Sequence, residues 1–165
     1  MISVVIPVLN EQDNIPVLLK EIVEISKIVP ISEVIYVNDG STDRTFDVLK
    51  SLRQDIPILR IIQHEKRSGQ SAAFMSGVRA AGNSIIVLMD GDGQNDPKDI
   101  PMLLDKIREG FDLVSGWRYI RQGSFWSRRI PSQIANSLIS WMTKVKLHDY
   151  GCTMKAIRGD LAKEI

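Results

Sequence analysis

The chain has 165 residues, 44% hydrophobic and 25% charged, which is enough for one domain with a core of its own and too few for two. Its 21 basic and 20 acidic residues leave a formal net charge of +1, which removes the global electrostatic case for a nucleic-acid binder and moves attention to local clusters. The single cysteine, Cys152, excludes an internal disulfide or a zinc cluster and fits a reducing, cytoplasmic setting.

Short β-branched runs alternate with longer helical ones, the pattern of a βαβ-built, mostly parallel sheet with helices on its faces. Residues 2–9 form the first expected strand; Met1 leads into it with no charged segment ahead, so no signal peptide is expected. A helix follows over about residues 15–29, with Asp13 or Asn14 as cap and Pro16 in its first turn. Residues 33–37 give the second strand, and Thr42 or Asp43 begins a helix that runs to about Arg53. The third strand is 58–63; after the polar loop 64–68, the small-residue segment 69–81 reads as a helix packed closely on the sheet. Residues 84–89 form the fourth strand, its apolar run 85–89 reading as buried on both faces. Pro97 then opens a helix with Ile100, Leu103, Leu104 and Ile107 on one side.

Beyond Gly110 the regularity weakens. Residues 113–116 read as a strand, 119–129 as a basic and aromatic loop, 132–145 as an amphipathic helix, and 153–158 as a returning strand. No apolar run approaches the roughly 18 residues of a membrane span. The whole of 1–165 is expected to be one domain, and the stop just after a helix start at Asp160 fits a fragment of something longer.

Three polar clusters each follow an expected strand: Pro7–Glu11, Asn38–Asp43 and Asp90–Asp96. Strand ends of a parallel sheet lie at one edge, so these clusters should converge where open α/β folds bind ligands. The third is the most informative. In VLMDGDGQNDP an apolar strand ends in Asp90 and Asp92, one glycine apart, and in an extended segment such acids share a side and could face one hard cation. NDGSTD taken alone is equally well a turn with a helix cap. In the functional alternative, the carboxylate of Asp39 accepts from the N–H edge of a nucleobase, while Ser41 and the next helix N-terminus add donors.

The ordered segments SVVIPVLNE, VIYVNDGSTDRT, RSGQSAA, VLMDGDGQNDP, VSGWR and DYGC resemble the motifs of family-2 inverting glycosyltransferases with the GT-A fold, and within them the polyprenyl-phosphate, dolichol-phosphate mannosyltransferase-like branch. The resemblance covers nearly the whole chain. It implies a Rossmann-like three-layer α/β/α sandwich, a nucleotide-sugar donor, a polyprenyl phosphate acceptor, Mg²⁺ or Mn²⁺, and peripheral work at the cytoplasmic face of a membrane. It further implies that Pro7, Asn10, Glu11, Ser41, Gly69 and Asp90 approach the nucleotide and that Asp39 reads the base. Asp90, Asp92 and Gln94 match the metal-binding motif, with Asp92 as principal ligand. Arg118, Arg128 and Arg129 would meet the acceptor phosphate, and Asp149 lies in the late acidic motif near the transferring sugar. Relatives usually continue into further interfacial helices or membrane spans.

The chemistry agrees with this set. A departing nucleoside diphosphate calls for a divalent ion as Lewis acid, and a phosphate acceptor, already anionic, calls for arginines rather than a strong base. Were the acceptor a saccharide hydroxyl, Asp149 would lead as general base. A nucleotidyltransferase would carry a glycine-rich basic loop where this chain has VLNEQDN, and an inactive, truncated nucleotide-binding module is the non-enzyme alternative. Neither a dinucleotide nor a P-loop fingerprint occurs.

Plainer readings stand beside these. Arg128 and Arg129 also fit a solvated basic loop, although neighbouring Phe125 and Trp126 suit a membrane interface. The apolar stripe on 132–145 reads first as core, with membrane apposition as the alternative. Lys66 and Arg67 fit either a diphosphate contact or a solvated charge run. His64 and His148 lack partners at metal spacing and read as structural or loop residues, and Cys152 as a small packed side chain. Nothing in the sequence sets the oligomeric state, and a homo-oligomer is left open.

Overall fold

The structure is a computed structural model and describes residues 1–116 and 152–164. In chain order the elements are β1 (Ile2–Val8), α1 (Ile15–Ser26), β2 (Ile31–Asn38), α2 (Thr45–Asp55), β3 (Leu59–Gln63), α3 (Gln70–Ala80) and β4 (Ile85–Leu88). A 3₁₀ turn (Pro97–Asp99) then leads into α4 (Ile100–Arg108), followed by β5 (Leu113–Ser115), β6 (Lys155–Arg158) and α5 (Gly159–Glu164). The expected helix over 132–145 lies outside the described residues.

The strands form one six-stranded sheet in the order β3-β2-β1-β4-β6-β5. β1 pairs in parallel with β2 and β4, and β2 with β3, while β6 runs antiparallel to both of its neighbours. Alternation along the strands splits the core in two. Val4, Ile6, Val8, Val34, Tyr36 and Val87 point to the layer of α1, α2 and α4; Val5, Ile35, Val37 and Ile86 point to that of α3 and α5. The result is a three-layer α/β/α sandwich with a mostly parallel sheet. Among the described residues no helix is long and apolar enough to cross a membrane.

Several boundaries differ from expectation for local reasons. α2 starts at Thr45 rather than at Thr42 or Asp43, because the Asp43 carboxylate turns back to accept from the Thr45 amide at 3.0 Å and so caps the helix from outside. α1 starts where expected, after Asn14 with Pro16 in its first turn, and stops at Ser26, short of Pro30. α3 sits as close to the sheet as its small residues imply: a Cβ on Gly77 would lie 2.2 Å from Val5 Cγ1. Cys152 is buried in the core, as a small packed residue should be.

A polar clasp holds the edge where the parallel strands begin. Glu33 accepts from the Ser3 hydroxyl at 2.6 Å, from the Gly82 amide at 3.0 Å and from the Arg60 guanidinium, while Ser3 Oγ accepts from Asn83 Nδ2 at 3.0 Å. Burial alone would raise the Glu33 pKa, but the hydrogen bonds from Ser3, Gly82 and Arg60 outweigh it and hold the carboxyl below its usual value. A lowered folded-state pKa contributes stability that is complete above the unfolded value, about 4.3, and is lost as pH falls through the folded value. Glu33→Gln should therefore be less stable than the unsubstituted protein at neutral pH and lose stability less steeply on acidification, as read by urea midpoints between about pH 6 and pH 3.

Tyr36 lies at the centre of β2 with no exposed surface, and its hydroxyl has no hydrogen-bond partner among the described residues. Burial pushes the phenol well above its ordinary pKa. Removing an unsatisfied buried hydroxyl relieves a desolvation cost of about 1–3 kcal/mol, so Tyr36→Phe should raise the urea midpoint with the slope unchanged.

Candidate functional site

The strand order turns at β1: the chain steps outward through β2 and β3, then returns to place β4 on the other side of β1. Such a reversal opens a crevice beyond the carboxyl ends of the strands. The loops after β1, β2, β3 and β4 all leave at this edge, so the polar clusters expected to meet do meet.

The loops after β1 and β2 are laced together. Asn10 takes a left-handed backbone, φ 59°, which Asn tolerates better than most residues. Its amide donates to Ser41 Oγ at 2.9 Å, and its side-chain oxygen accepts from the Thr42 amide at 2.9 Å. The Glu11 amide donates to Thr45 Oγ1 at 2.9 Å, and the Glu11 carboxylate accepts from Asn14 Nδ2 at 2.6 Å. The Ser41 hydroxyl gives its single hydrogen to Asn38 Oδ1, so in this structure it serves the loop rather than pointing a donor outward. Pro7 lies on β1 opposite Val37.

Asp39 is the most heavily coordinated acid at this edge. Oδ1 accepts from His64 Nδ1 and from the Ser68 amide, each at 2.8 Å, and Oδ2 accepts from the Gly69 amide at 2.8 Å. Gly69, with φ 95°, stands immediately before α3, so Asp39 anchors the entry to that helix from a distant part of the chain, beside its positive end. Burial would raise the Asp39 pKa, but bonds from His64 and the two amides prevail and lower it. Gly40, at φ 71°, packs so tightly on the loop that an added Cβ would lie 2.5 Å from Arg67 N.

β4 ends at Leu88, and the chain bends at Gly91–Gly93 with φ 75° at Gly93. Asp92 therefore sits in the bend and Asp90 just before it, both beyond the last residue of β4, which corrects the i, i+2 strand argument while keeping both acids at the strand's end. Asp90 Oδ1 accepts from Gln70 Nε2 at 2.7 Å, and its other oxygen accepts from the Thr153 hydroxyl. Asp92 is exposed; the Gln94 amide and side-chain nitrogen donate to its two oxygens at 3.0 and 2.8 Å. The glycine between the acids has a steric reason: a Cβ at Gly91 would lie 2.5 Å from Val8 Cγ1 and 3.1 Å from the Pro7 carbonyl oxygen.

No group of three or more His, Cys, Asp or Glu side chains is arranged to hold a metal among the described residues. Two carboxylates two residues apart at a strand's end, Asp92 exposed and Asp90 half-buried, still suit a hard cation that takes its remaining oxygens from a diphosphate and water. Arg118, Arg128, Arg129 and Asp149 lie outside the described residues. Three contributors escaped sequence reasoning. His64 and Gln70 follow a strand and begin a helix, a position that gave a usable signal, whereas Thr153 reaches Asp90 across 63 residues of sequence and gave none.

The chain belongs to glycosyl transferase family 2, whose model matches residues 3–165. It is 40% identical over 167 residues to the dodecaprenyl-phosphate galacturonate synthase of Rhizobium johnstonii, covering 99% of this chain and 49% of that protein. It is 36% identical over 165 residues to the undecaprenyl-phosphate 4-deoxy-4-formamido-L-arabinose transferase of Edwardsiella ictaluri, covering 98% and 50%. The chain thus spans about half the length of the curated relatives it matches. Among solved structures it is similar in fold to the glucosyl-3-phosphoglycerate synthase of Mycobacterium tuberculosis in complex with Mn²⁺ and UDP-glucose, with a TM-score of 0.76, 24% identity, and coverage of 98% of this chain and 57% of that one.

Gly91→Ala should cost about 1–3 kcal/mol by overpacking against Val8 and shift the bend that separates the two acids. A lowered denaturation midpoint, with perturbed amide resonances over 89–94, is the expected result.

Proposed function

We propose that this chain is a catalytic domain that transfers a sugar, with inversion, from a nucleoside-diphosphate donor to a polyprenyl phosphate, with Mg²⁺ or Mn²⁺ as cofactor. One observation carries the reading: a single stretch, Ser68 to Gln70, binds Asp39 through two amides and Asp90 through the Gln70 side chain. The base-reading acid and the metal-binding acid are thereby set on one short strap, as a ligand with a base at one end and a diphosphate at the other requires. The named activities of the two bacterial relatives support the lipid-phosphate acceptor.

Asp39 orients the nucleoside by accepting from a ring N–H. Asp90 and Asp92 would hold the divalent ion, which when bound offsets the charge developing on the leaving diphosphate. Gln70 and Thr153 fix Asp90, and Gln94 lies on Asp92. Arg118, Arg128 and Arg129 would position the acceptor phosphate, whose own oxygen attacks without a general base. A polyprenyl acceptor resides in a bilayer, so the domain works peripherally at a membrane surface, on its cytoplasmic side.

The test is transfer from UDP- and GDP-sugars to a short-chain polyprenyl phosphate by the purified chain. Asp90→Ala and Asp92→Ala, or EDTA, should each lower turnover by about 100-fold or more. Undiminished turnover in all three would overturn the metal clamp. Transfer to the lipid phosphate that persists when Arg118, Arg128 and Arg129 are all neutralised would remove them from the acceptor site, whereas transfer to a saccharide hydroxyl in place of the lipid phosphate would overturn the acceptor and make Asp149 the base.

A further inference from the structure

The loop histidine has a position that the transfer reaction does not by itself account for. The His64 ring spans from the end of β2 to the middle of α3: Nδ1 lies 2.8 Å from Asp39 Oδ1 and Nε2 lies 2.9 Å from Ser76 Oγ. Its side chain is 16% exposed and that of Asp39 is 5%, so both groups face little water.

The direction of each hydrogen bond follows from the chemistry. An ionised carboxylate only accepts, so Nδ1 carries the hydrogen toward Asp39. In the neutral ring Nε2 is then an acceptor, and the Ser76 hydroxyl donates to it. The acceptor-only carboxylate thus selects the tautomer, and the Ser76 hydroxyl, able to donate or accept, matches it and holds the ring in place.

The same count shows what His64 does to the acid. A carboxylate offers about four acceptor positions, two on each oxygen. His64 and the Ser68 amide occupy both on Oδ1, and the Gly69 amide occupies one on Oδ2. Among the described residues a single acceptor position remains, on Oδ2. Without His64, Oδ1 would regain an open position and the carboxylate could present either oxygen.

We propose that His64 is a positioning residue for donor selection: by closing Oδ1 of Asp39 it leaves one fixed acceptor, which favours bases with a ring N–H at the Watson–Crick edge, such as uracil and guanine. Cytosine and adenine present a ring nitrogen lone pair there and are rejected by acceptor against acceptor. The inference rests on the nucleotide-site reading above. It extends that reading from the acid to the residue that aims it.

The test is calorimetric titration of the purified chain with UDP, GDP, CDP and ADP in the presence of Mn²⁺. His64→Ala should weaken the preferred nucleotide by about tenfold, as loss of a hydrogen bond to a charged group implies, and should narrow its preference over CDP and ADP. His64→Asn places an amide nitrogen where Nδ1 stood and should restore affinity and preference; His64→Gln, which reaches only the Ser76 side, should not. Thermal melts confirm that each variant is folded, and amide resonances of Ser68 and Gly69 report the carboxylate's contacts directly. Unchanged preference in a folded His64→Ala protein, or failure of His64→Asn to restore it, overturns the role of His64. Failure of the unsubstituted chain to bind any of the four nucleotides instead overturns the nucleotide-site reading itself.

Discussion

The carboxylate of Asp39 is the constraint on which the ligand edge depends. It stands one residue beyond β2, nearly out of solvent, and it organises the loop after β3 and the start of α3 through His64, Ser68 and Gly69. Each hydrogen bond to a charged group is worth about 1.5–3 kcal/mol net, and a buried carboxylate without them would be strongly unfavourable. The positive end of α3 adds to the same balance. Removing the acid would leave its amides unpaired, free the 64–69 loop, and release the segment from which Gln70 reaches Asp90.

The two edges of the sheet are built by opposite rules. Where the parallel strands begin, Glu33, Ser3, Arg60 and Asn83 close on one another and leave little for a ligand. Where they end, the side chains are tied to backbone amides and to helix starts, while Asp92 and the bend at 91–93 that carries it stay open on one side.

Much of this was legible in the sequence because it is local. Apolar runs such as 2–9 and 85–89, Pro16 and Pro97 at helix starts, and small residues in 69–81 each report their own neighbourhood, and strands and helices followed within a few residues. The convergence of the Asn10, Asp39 and Asp90 loops followed from the parallel topology. What sequence could not supply was contact across distance or the turn of a backbone. His64 read as an isolated loop residue because its partners, Asp39 and Ser76, are 25 and 12 residues away. The Asp90–Asp92 pair read as extended chain because periodicity continues a strand until something bends it, and here Gly91 and Gly93 do. β6 was expected as a strand, but its antiparallel sense depends on a chain path that no local pattern encodes.

The close seat of α3 on β1 has a consequence for how such a site can diverge. Because Gly77 touches Val5 with no side chain between them, the helix has one height above the sheet, and Gln70 at one end and Ser76 near the middle are carried at that height. The helix acts as a fixed shelf for the groups that hold the two acids. A bulkier residue at position 77 would lift the helix and draw Gln70 from Asp90 and Ser76 from His64 without altering either acid. The hold on both acids can therefore be retuned from inside the core, at a buried position away from either carboxylate.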